Sequence, residues 1–365
     1  MSGRRSGSAA GALAVALLVG AGGARAQSPR LYVTNQDDAT VSIVDLATLR
    51  VVETLDLQRL GFSPTARPHH AQVEPDGRFW YVTLIGAGKV LKLDRENRVV
   101  GSVDLEVPGL MSLHPRRDLL VVARSMSAVN PPRRIALVRR SDMTLLDEVE
   151  VVFPRPHALV VDPRGEYAYV ASLGENQLAS VRLDDGVTRL VEVDGAPLTF
   201  VQLAASPDGR WLAATAQTGN ALVLFDIADP AQPTLARRIP MNAGPFEPVF
   251  TFDGRRIFVT NLDANTVSEV STETWEVVRV IAHAGFGQPH GVALSPDGQR
   301  LFVSNRHQSG GAHDHEGHKA VAQGTLAVIC VATGTVDTVL TVGNYAAGVG
   351  TPPPGTRPEA PRPCR

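Results

Sequence analysis

The sequence has few of the residues on which many protein classes depend. Only two of its 365 residues are cysteines, Cys330 and Cys364, so we expect no disulfide framework. Charged residues make up 20 % of the chain, and lysine and arginine nowhere form a block. Nucleic-acid binding rests on such clusters, so we expect no nucleic-acid partner.

Several motifs of catalysis and cofactor binding are also missing. The chain contains no Gly-x-Ser-x-Gly nucleophile turn and no Cys-x-x-Cys-His haem motif. No glycine-rich phosphate loop follows a strand and opens a helix, and no segment shows the spacing of an amphipathic helix. The sequence therefore does not identify an enzyme, and the question of catalysis stays open.

The N-terminus reads as a targeting segment. Arg4 and Arg5 precede a short apolar run over 9–22, and small residues at Ala24 and Ala26 form a cleavage pattern. The run is too short to span a bilayer, so we expect no transmembrane anchor. We predict a signal peptide over 1–26 and a periplasmic or secreted mature protein. Cleavage removes three of the 35 basic residues, which leaves 32 against 37 acidic residues and a formal charge of −5.

A turn sequence of the Pro-Asp-Gly type recurs along the chain. The turns end at five glycines whose successive steps are 88, 44, 45 and 44 residues: Gly77, Gly165, Gly209, Gly254 and Gly298. The period is therefore near 44, with one degenerate copy between the first two. The next step, to Gly355, is 57 residues, so 13 extra residues lie in the last repeat.

Each repeat reads as four short strands, here named A to D in chain order. Strand B recurs seven times, as "LYVTN", "FWYVT", "LLVVA", "YAYVA", "WLAAT", "IFVTN" and "LFVSN". Four strands per repeat of 40–45 residues predict an all-β, seven-bladed β-propeller with four antiparallel strands per blade. We expect the propeller over 27–355 and a disordered proline-rich tail over 356–365.

The N-terminal repeat lacks its strand A, whereas the C-terminus has a spare one, "AAGVGTP". The spare strand is expected to become the innermost strand of the N-terminal blade. This closure of the ring removes two open sheet edges.

These repeat words carry a resemblance to known families. "LYVTN", "IFVTN" and "LFVSN" resemble the YVTN repeats of YncE-like exported propeller proteins, over nearly the whole mature chain. "RPHHAQVEPDGRFWYV" resembles the lactonase-type propellers. "PHH" is more faintly similar to the propeller of nitrous oxide reductase, whose histidines hold a copper cluster. The resemblance implies the fold, but propellers of one fold perform many functions.

Three histidines occupy the same place in their repeats. His69, His157 and His290 begin strand A in blades two, four and seven. Strand A is innermost, so these residues are expected at the mouth of the central channel. We call the face where strand A begins, and where the D–A and B–C loops emerge, the histidine face. The Pro-His pair is also open to a purely structural interpretation, in which the imidazole bonds to nearby backbone.

The extra residues of the last repeat form a histidine-rich B–C loop on the same face. It contains His307, His313, His315 and His318, with two carboxylates among them. Imidazole with carboxylate suits a transition metal, so we predict a Zn or Cu site built mainly from His313, His315 and His318. His290 is the expected partner, and His69, His157 and His307 are further candidates. The alternative is a polar, glycine-rich insertion without a metal.

Other residues near this face bear on function. Arg67, Arg155 and Arg306 can draw anions, and Glu74 and Glu247 are candidate carboxylates by position only. We interpret the chain as an exported propeller that binds an unknown protein partner or small ligand on the histidine face, with a histidine-bound metal. The alternative is a lactonase-type hydrolase or lyase with its active site at the channel mouth.

Overall fold

The computed structural model describes residues 28–124, 130–307 and 323–354, together with Met1, Gly3 and Cys364. These residues form seven four-stranded antiparallel sheets in a ring. The fold is the predicted seven-bladed β-propeller. The region 1–26, the tail and His313, His315 and His318 lie largely or wholly outside the described residues.

Each blade runs outward from strand A to strand D. The strands of blade one are β28 (Ala346–Gly350), β1 (Arg30–Asn35), β2 (Thr40–Asp45) and β3 (Arg50–Asp56). Those of blade two are β4 (Pro68–Val73), β5 (Phe79–Leu84), β6 (Lys89–Asp94) and β7 (Val99–Asp104). Those of blade three are β8 (Pro108–Leu113), β9 (Leu119–Arg124), β10 (Arg134–Arg139) and β11 (Thr144–Glu150).

The remaining four blades follow the same plan. Blade four contains β12 (Pro156–Val161), β13 (Tyr167–Ser172), β14 (Gln177–Arg182) and β15 (Thr188–Glu192), and blade five contains β16 (Phe200–Ala205), β17 (Trp211–Ala216), β18 (Ala221–Asp226) and β19 (Thr234–Pro240). Blade six contains β20 (Pro245–Phe250), β21 (Arg256–Asn261), β22 (Thr266–Ser271) and β23 (Val277–Ala282), and blade seven contains β24 (Pro289–Leu294), β25 (Arg300–Asn305), β26 (Thr325–Cys330) and β27 (Val336–Thr341). Two 3₁₀ turns span Leu57–Leu60 and Ile85–Ala87.

The ring closes as the sequence predicted. The C-terminal strand β28 pairs with β1, and Val33 lies opposite Val349. The backbone N–H of Gly348 donates to the Thr34 hydroxyl at 2.8 Å. A β-carbon at Gly348 would lie 2.5 Å from the carbonyl oxygen of His69, so only glycine fits between these two blades.

The core lies between blades rather than at the centre of the ring. Seven clusters of buried apolar side chains each combine residues of two neighbouring blades. Between blades one and two, for example, Tyr32 stacks on Trp80 with ring centroids 4.2 Å apart. Each sheet is therefore covered on both faces by its neighbours, which leaves the channel free for polar side chains.

The recurring sequence motif of strand B has a structural reason. The threonine of the first repeat, Thr34, donates to the carbonyl of His69 in the next blade at 3.0 Å. Thr260 does the same to the carbonyl of His290 at 3.0 Å. The asparagine that follows closes the B–C loop, because Asn261 Nδ2 donates to Thr266 and Ser268. In the "YVTN" motif, the threonine therefore bonds to the next blade and the asparagine bonds within the B–C loop.

A left-handed residue precedes strand A in every blade. The backbone angle φ lies between +44° and +69° at all seven positions, which are Arg67, Val107, Arg155, Thr199, Gly244, Gln288 and Tyr345. For a residue other than glycine this conformation costs roughly 1–2 kcal/mol. Its repetition around the ring shows that it belongs to the fold, where it turns each D–A loop into the innermost strand.

The histidines at the channel mouth

The three histidines that share a repeat position meet in the channel. The ring centroid of His69 lies 6.0 Å from that of His157 and 6.5 Å from that of His290. All three side chains are buried, with 4–5 % of their surface exposed. The position is filled by Phe246 in blade six, whose ring centroid lies 4.2 Å from that of His290. The narrow channel therefore brings together residues up to 221 positions apart in the sequence.

Hydrogen bonds fix the proton on two of these imidazoles. His157 Nδ1 lies 2.9 Å from the carbonyl oxygen of Val201, so this nitrogen carries the hydrogen and donates. His69 Nδ1 lies 2.8 Å from the side-chain nitrogen of Gln36, which donates to it. The hydrogen of neutral His69 is then on Nε2, and that buried atom has no partner among the described residues.

His290 has the fewest hydrogen bonds of the three channel histidines. Neither of its ring nitrogens makes a hydrogen bond of ordinary geometry within the described part of the chain. The Ala347 carbonyl is close enough to raise its pKa slightly, against the larger effect of burial. Both nitrogens of this buried imidazole thus lack a well-formed hydrogen bond among the described residues.

The imidazoles are neutral at ordinary pH. Burial is the largest cause, and it holds the pKa of His69 and His290 well below the usual value. Burial also lowers the pKa of His157 to about 4. The guanidinium of Arg306 lowers the pKa of all three further, which places this cation beside the whole cluster.

Arg306 is the first residue after strand B of blade seven. The residue is 8 % exposed, and its buried Nε has no partner in the part of the chain that the structure describes. The guanidinium carbon lies 5.3 Å from the ring centroid of Phe246 and 4.4 Å from that of Tyr345. Among the described residues it makes no ion pair within 4 Å, although Asp37 and Asp263 are close enough to raise its pKa against the effect of burial.

The other arginines of this face are less enclosed. Arg155 is half-buried next to Pro156, its Nε has no partner among the described residues, and it lowers the pKa of His157. Arg67 occupies the same repeat position in blade two and is exposed. Arg306 is thus the arginine that lies inside the mouth.

The two candidate carboxylates are in different places. Glu74 follows strand A of blade two, away from the histidine face, and accepts from the Tyr81 hydroxyl at 2.5 Å. Glu247 follows Phe246 in strand A, and burial raises its pKa to about 8. The backbone N–H of Val292 and the Gln202 side chain oppose that rise. Its location in the innermost strand thus favours the protonated form of the Glu247 carboxyl more than an exposed position would.

The other described histidines have local roles. His307 Nε2 bonds to the Thr325 hydroxyl at 2.9 Å, which ties the start of the B–C loop to strand C of its own blade. The adjacent His70 accepts from the backbone N–H of Met111 at 3.1 Å. His114 bonds to the Gly165 carbonyl at 2.8 Å and accepts from two backbone N–H groups. The structure therefore does not bring His307 into the cluster.

The channel histidines do not make a metal centre by themselves. No three His, Cys, Asp or Glu side chains in the described ranges are arranged to hold a metal ion. The Nδ1 atoms of His69 and His157 are engaged, and the buried charge of Arg306 disfavours a cation. A copper cluster of the kind that the nitrous oxide reductase resemblance implies does not fit this set. A metal held by His313, His315 and His318 stays a prediction, since these residues lie outside the described ranges.

Sequence reasoning missed two contributors to the mouth. Gln36 directly follows the first "YVTN" word and orients His69. Tyr345 packs on Arg306 from the position before strand A of blade one. Counting that position in every blade would have found Tyr345, whereas nothing in the repeat distinguishes Gln36.

The fold and the mouth define a seven-bladed β-propeller with a buried histidine cluster beside an arginine. No protein-family model matches the chain, and no curated protein matches it. Among solved structures it is similar to a functionally unknown protein from Desulfotomaculum acetoxidans DSM 771. That likeness has 16 % identity, a TM-score of 0.73, and covers 90 % of this chain and 100 % of the other.

The chain is also similar to hydrazine synthase of Kuenenia stuttgartiensis. The identity is 22 % and the TM-score 0.57, over 71 % of this chain and 76 % of the other. At these identities both likenesses establish the propeller fold alone. The described residues contain no helix that is long and apolar enough to cross a membrane.

Proposed function

We propose that this propeller binds a small ligand in the mouth of its channel, on the histidine face. The observation that carries the proposal is the set of buried nitrogens on His69 and His290 that have no hydrogen-bond partner among the described residues. A buried polar atom without a partner costs about 1–3 kcal/mol. A ligand that supplied the missing partners would recover that cost.

A contrast within the chain supports this interpretation. His114 is as buried as the channel histidines, and both of its ring nitrogens have partners. The purely structural role of a histidine is therefore recognisable here, and His290 does not show it. Other blades place Gly109, Val201 and Ala347 at the same position, so the fold does not require histidine there.

The test is a thermal-shift screen of small anionic, neutral and cationic compounds. It uses the wild type and the variants His69→Gln, His157→Gln and His290→Gln. His283→Gln is the matched control, because His283 is exposed in a D–A loop of the same face. We expect at least one compound to stabilise the wild type and the control but not the channel variants. Equal responses in all forms would reject the site.

One observation favours a second candidate, a lactonase-type hydrolase. Glu247, with its pKa of about 8, has the protonation behaviour of a general acid or base near neutral pH. The assay is lactone hydrolysis by the wild type, Glu247→Gln and His290→Gln. Turnover that both substitutions abolish would establish the enzyme, and no turnover by the wild type would leave binding as the function.

Two further proposals rest on sequence alone. The residue pattern over 1–26 supports export to the periplasm or beyond, and the spacing of His313, His315 and His318 supports Zn or Cu binding by the loop. Arg306 and His307 follow strand β25 beside the mouth, so a protein partner or ligand on this face would lie near the point where the loop begins.

A further inference from the structure

We infer that the ligand of the channel mouth is a small carboxylate, bound through the Arg306 guanidinium and the imidazole N–H of His69. This inference deepens the proposed function and rests on it. It follows from the charge, the donors and the lining of the mouth.

The mouth holds a buried cation, Arg306, whose charge the carboxylates of Asp37 and Asp263 offset in part. Arg306 is buried between the rings of Phe246 and Tyr345, without an ion pair within 4 Å among the described residues. Contact with aromatic rings stabilises a guanidinium by about 0.5–2 kcal/mol, which offsets only part of the cost of removing its charge from water. An unpaired buried charge is far more costly, so the site favours an anion.

The donors of the mouth match the acceptors of a carboxylate. Arg306 Nε has no partner in the described ranges, and arginine binds a carboxylate through two parallel N–H···O bonds. The hydrogen on His69 Nε2 is a further donor without an acceptor among those residues. The imidazoles are neutral, so they add hydrogen bonds without adding charge.

The charge and the lining of the mouth narrow the class of ligand to a small organic monoanion. A monoanion is favoured over a dianion, because Asp37 and Asp263 already act on the buried Arg306 and a second negative charge would come out of water uncompensated. Phe246 and Val201 form an apolar cluster at the same level of the channel. These apolar side chains suit the carbon part of an organic acid.

The experiment is calorimetric and thermal titration of the full mature protein with acetate and propionate. Acetamide, the neutral analogue, and sodium chloride at equal ionic strength are the references. The variants are Arg306→Gln and Arg306→Met, with Arg67→Gln as the matched control. Arg67 is an exposed arginine of the same face, outside the mouth.

Acetate is expected to stabilise the wild type and Arg67→Gln, while acetamide does not. Either Arg306 substitution should weaken acetate binding about tenfold or more, since a charge-assisted hydrogen bond is lost. Both should melt at or above the wild-type temperature without ligand, because a buried unpaired charge is removed. A large fall in melting temperature would instead give Arg306 a structural role and overturn the inference.

The outcomes separate this inference from the proposed function. If a neutral or cationic compound binds at the histidines and acetate does not, the mouth is a ligand site but not a carboxylate site. Acetate binding that survives Arg306→Gln would equally overturn the inference. If no compound of any charge depends on the channel histidines, the proposed function itself fails.

Discussion

The hydroxyl of Thr260 donates to the carbonyl of His290 across the junction of blades six and seven, at 3.0 Å. The same hydroxyl accepts from the backbone N–H of Glu247 at 3.0 Å. The Thr260 side chain thus joins the innermost strand of blade six to the innermost strand of blade seven. It holds the backbone of both strands in place beside the channel mouth. Thr34 makes the equivalent bond to His69.

Replacing this hydroxyl should loosen the junction. Thr260→Val keeps the shape but leaves a buried N–H and a buried carbonyl without a partner, so the free energy of unfolding should fall by about 1–3 kcal/mol. Urea unfolding measures the change. Thr54→Val, at an exposed position of strand β3, is the control and should be close to neutral. Equal effects of the two substitutions would contradict the role of the bond.

Removal of β28 should open the ring. A chain ending at Val342 loses the strand that pairs with β1 and the bond between Gly348 and Thr34. It leaves the inner edge of β1 unpaired, which promotes aggregation. A chain ending at Gly355 keeps the strand and should melt like the full chain. Identical melting temperatures for the two truncations would refute closure by β28.

The repeat made most of the fold predictable. A fixed distance from each Pro-Asp-Gly turn gave the blade count, the closing strand and the shared position of His69, His157 and His290. These features depend only on sequence spacing, which the fold preserves. The location of these histidines at the channel mouth was expected because strand A is innermost.

The chemistry of the mouth was less predictable. Arg306 was recognised as lying on the correct face, but its enclosure depends on Phe246 and Tyr345, which come from two other blades. The bond from Gln36 to His69 also crosses between blades. Such contacts are set by side-chain directions at a junction, and a linear pattern does not encode them.

Glu247 should make stability fall as pH rises. Burial raises its folded pKa from 4.5 to about 8, so the folded state keeps a proton that the unfolded state releases. The stabilisation is full below about pH 4.5 and is lost as pH rises towards 8. Glu247→Gln removes this dependence.

Urea unfolding at pH 5, 6, 7 and 8 measures the effect as the difference between Glu247→Gln and the wild type. The histidines contribute equally to both forms and cancel in that difference. Glu273→Gln, at an exposed position, is the control and should follow the wild type. A constant difference between Glu247→Gln and the wild type across this range would show that Glu247 titrates normally.

The B–C loop of blade seven should bind Zn²⁺ or Cu²⁺ through His313, His315 and His318. Affinity should fall as pH drops through about 6.5, because ligation needs neutral imidazole. Calorimetric titration of untagged protein compares the wild type, the triple His→Ala loop variant and His290→Ala. Unchanged binding by the loop triple would exclude the loop site, and no binding by any form would leave the loop a polar insertion.

The central claim, that the channel histidines line a carboxylate site, is tested most directly by nitrogen NMR of histidine-labelled protein during acetate titration. Substitution of each histidine in turn assigns the imidazole signals. The account predicts that the signals of His69, His157 and His290 shift together with one saturation curve, while that of the fully bonded His114 stays fixed. It also predicts that all three stay neutral at pH 5.5, since burial holds their pKa values down. Channel signals that do not respond to acetate, or that move no more than His114, would contradict it.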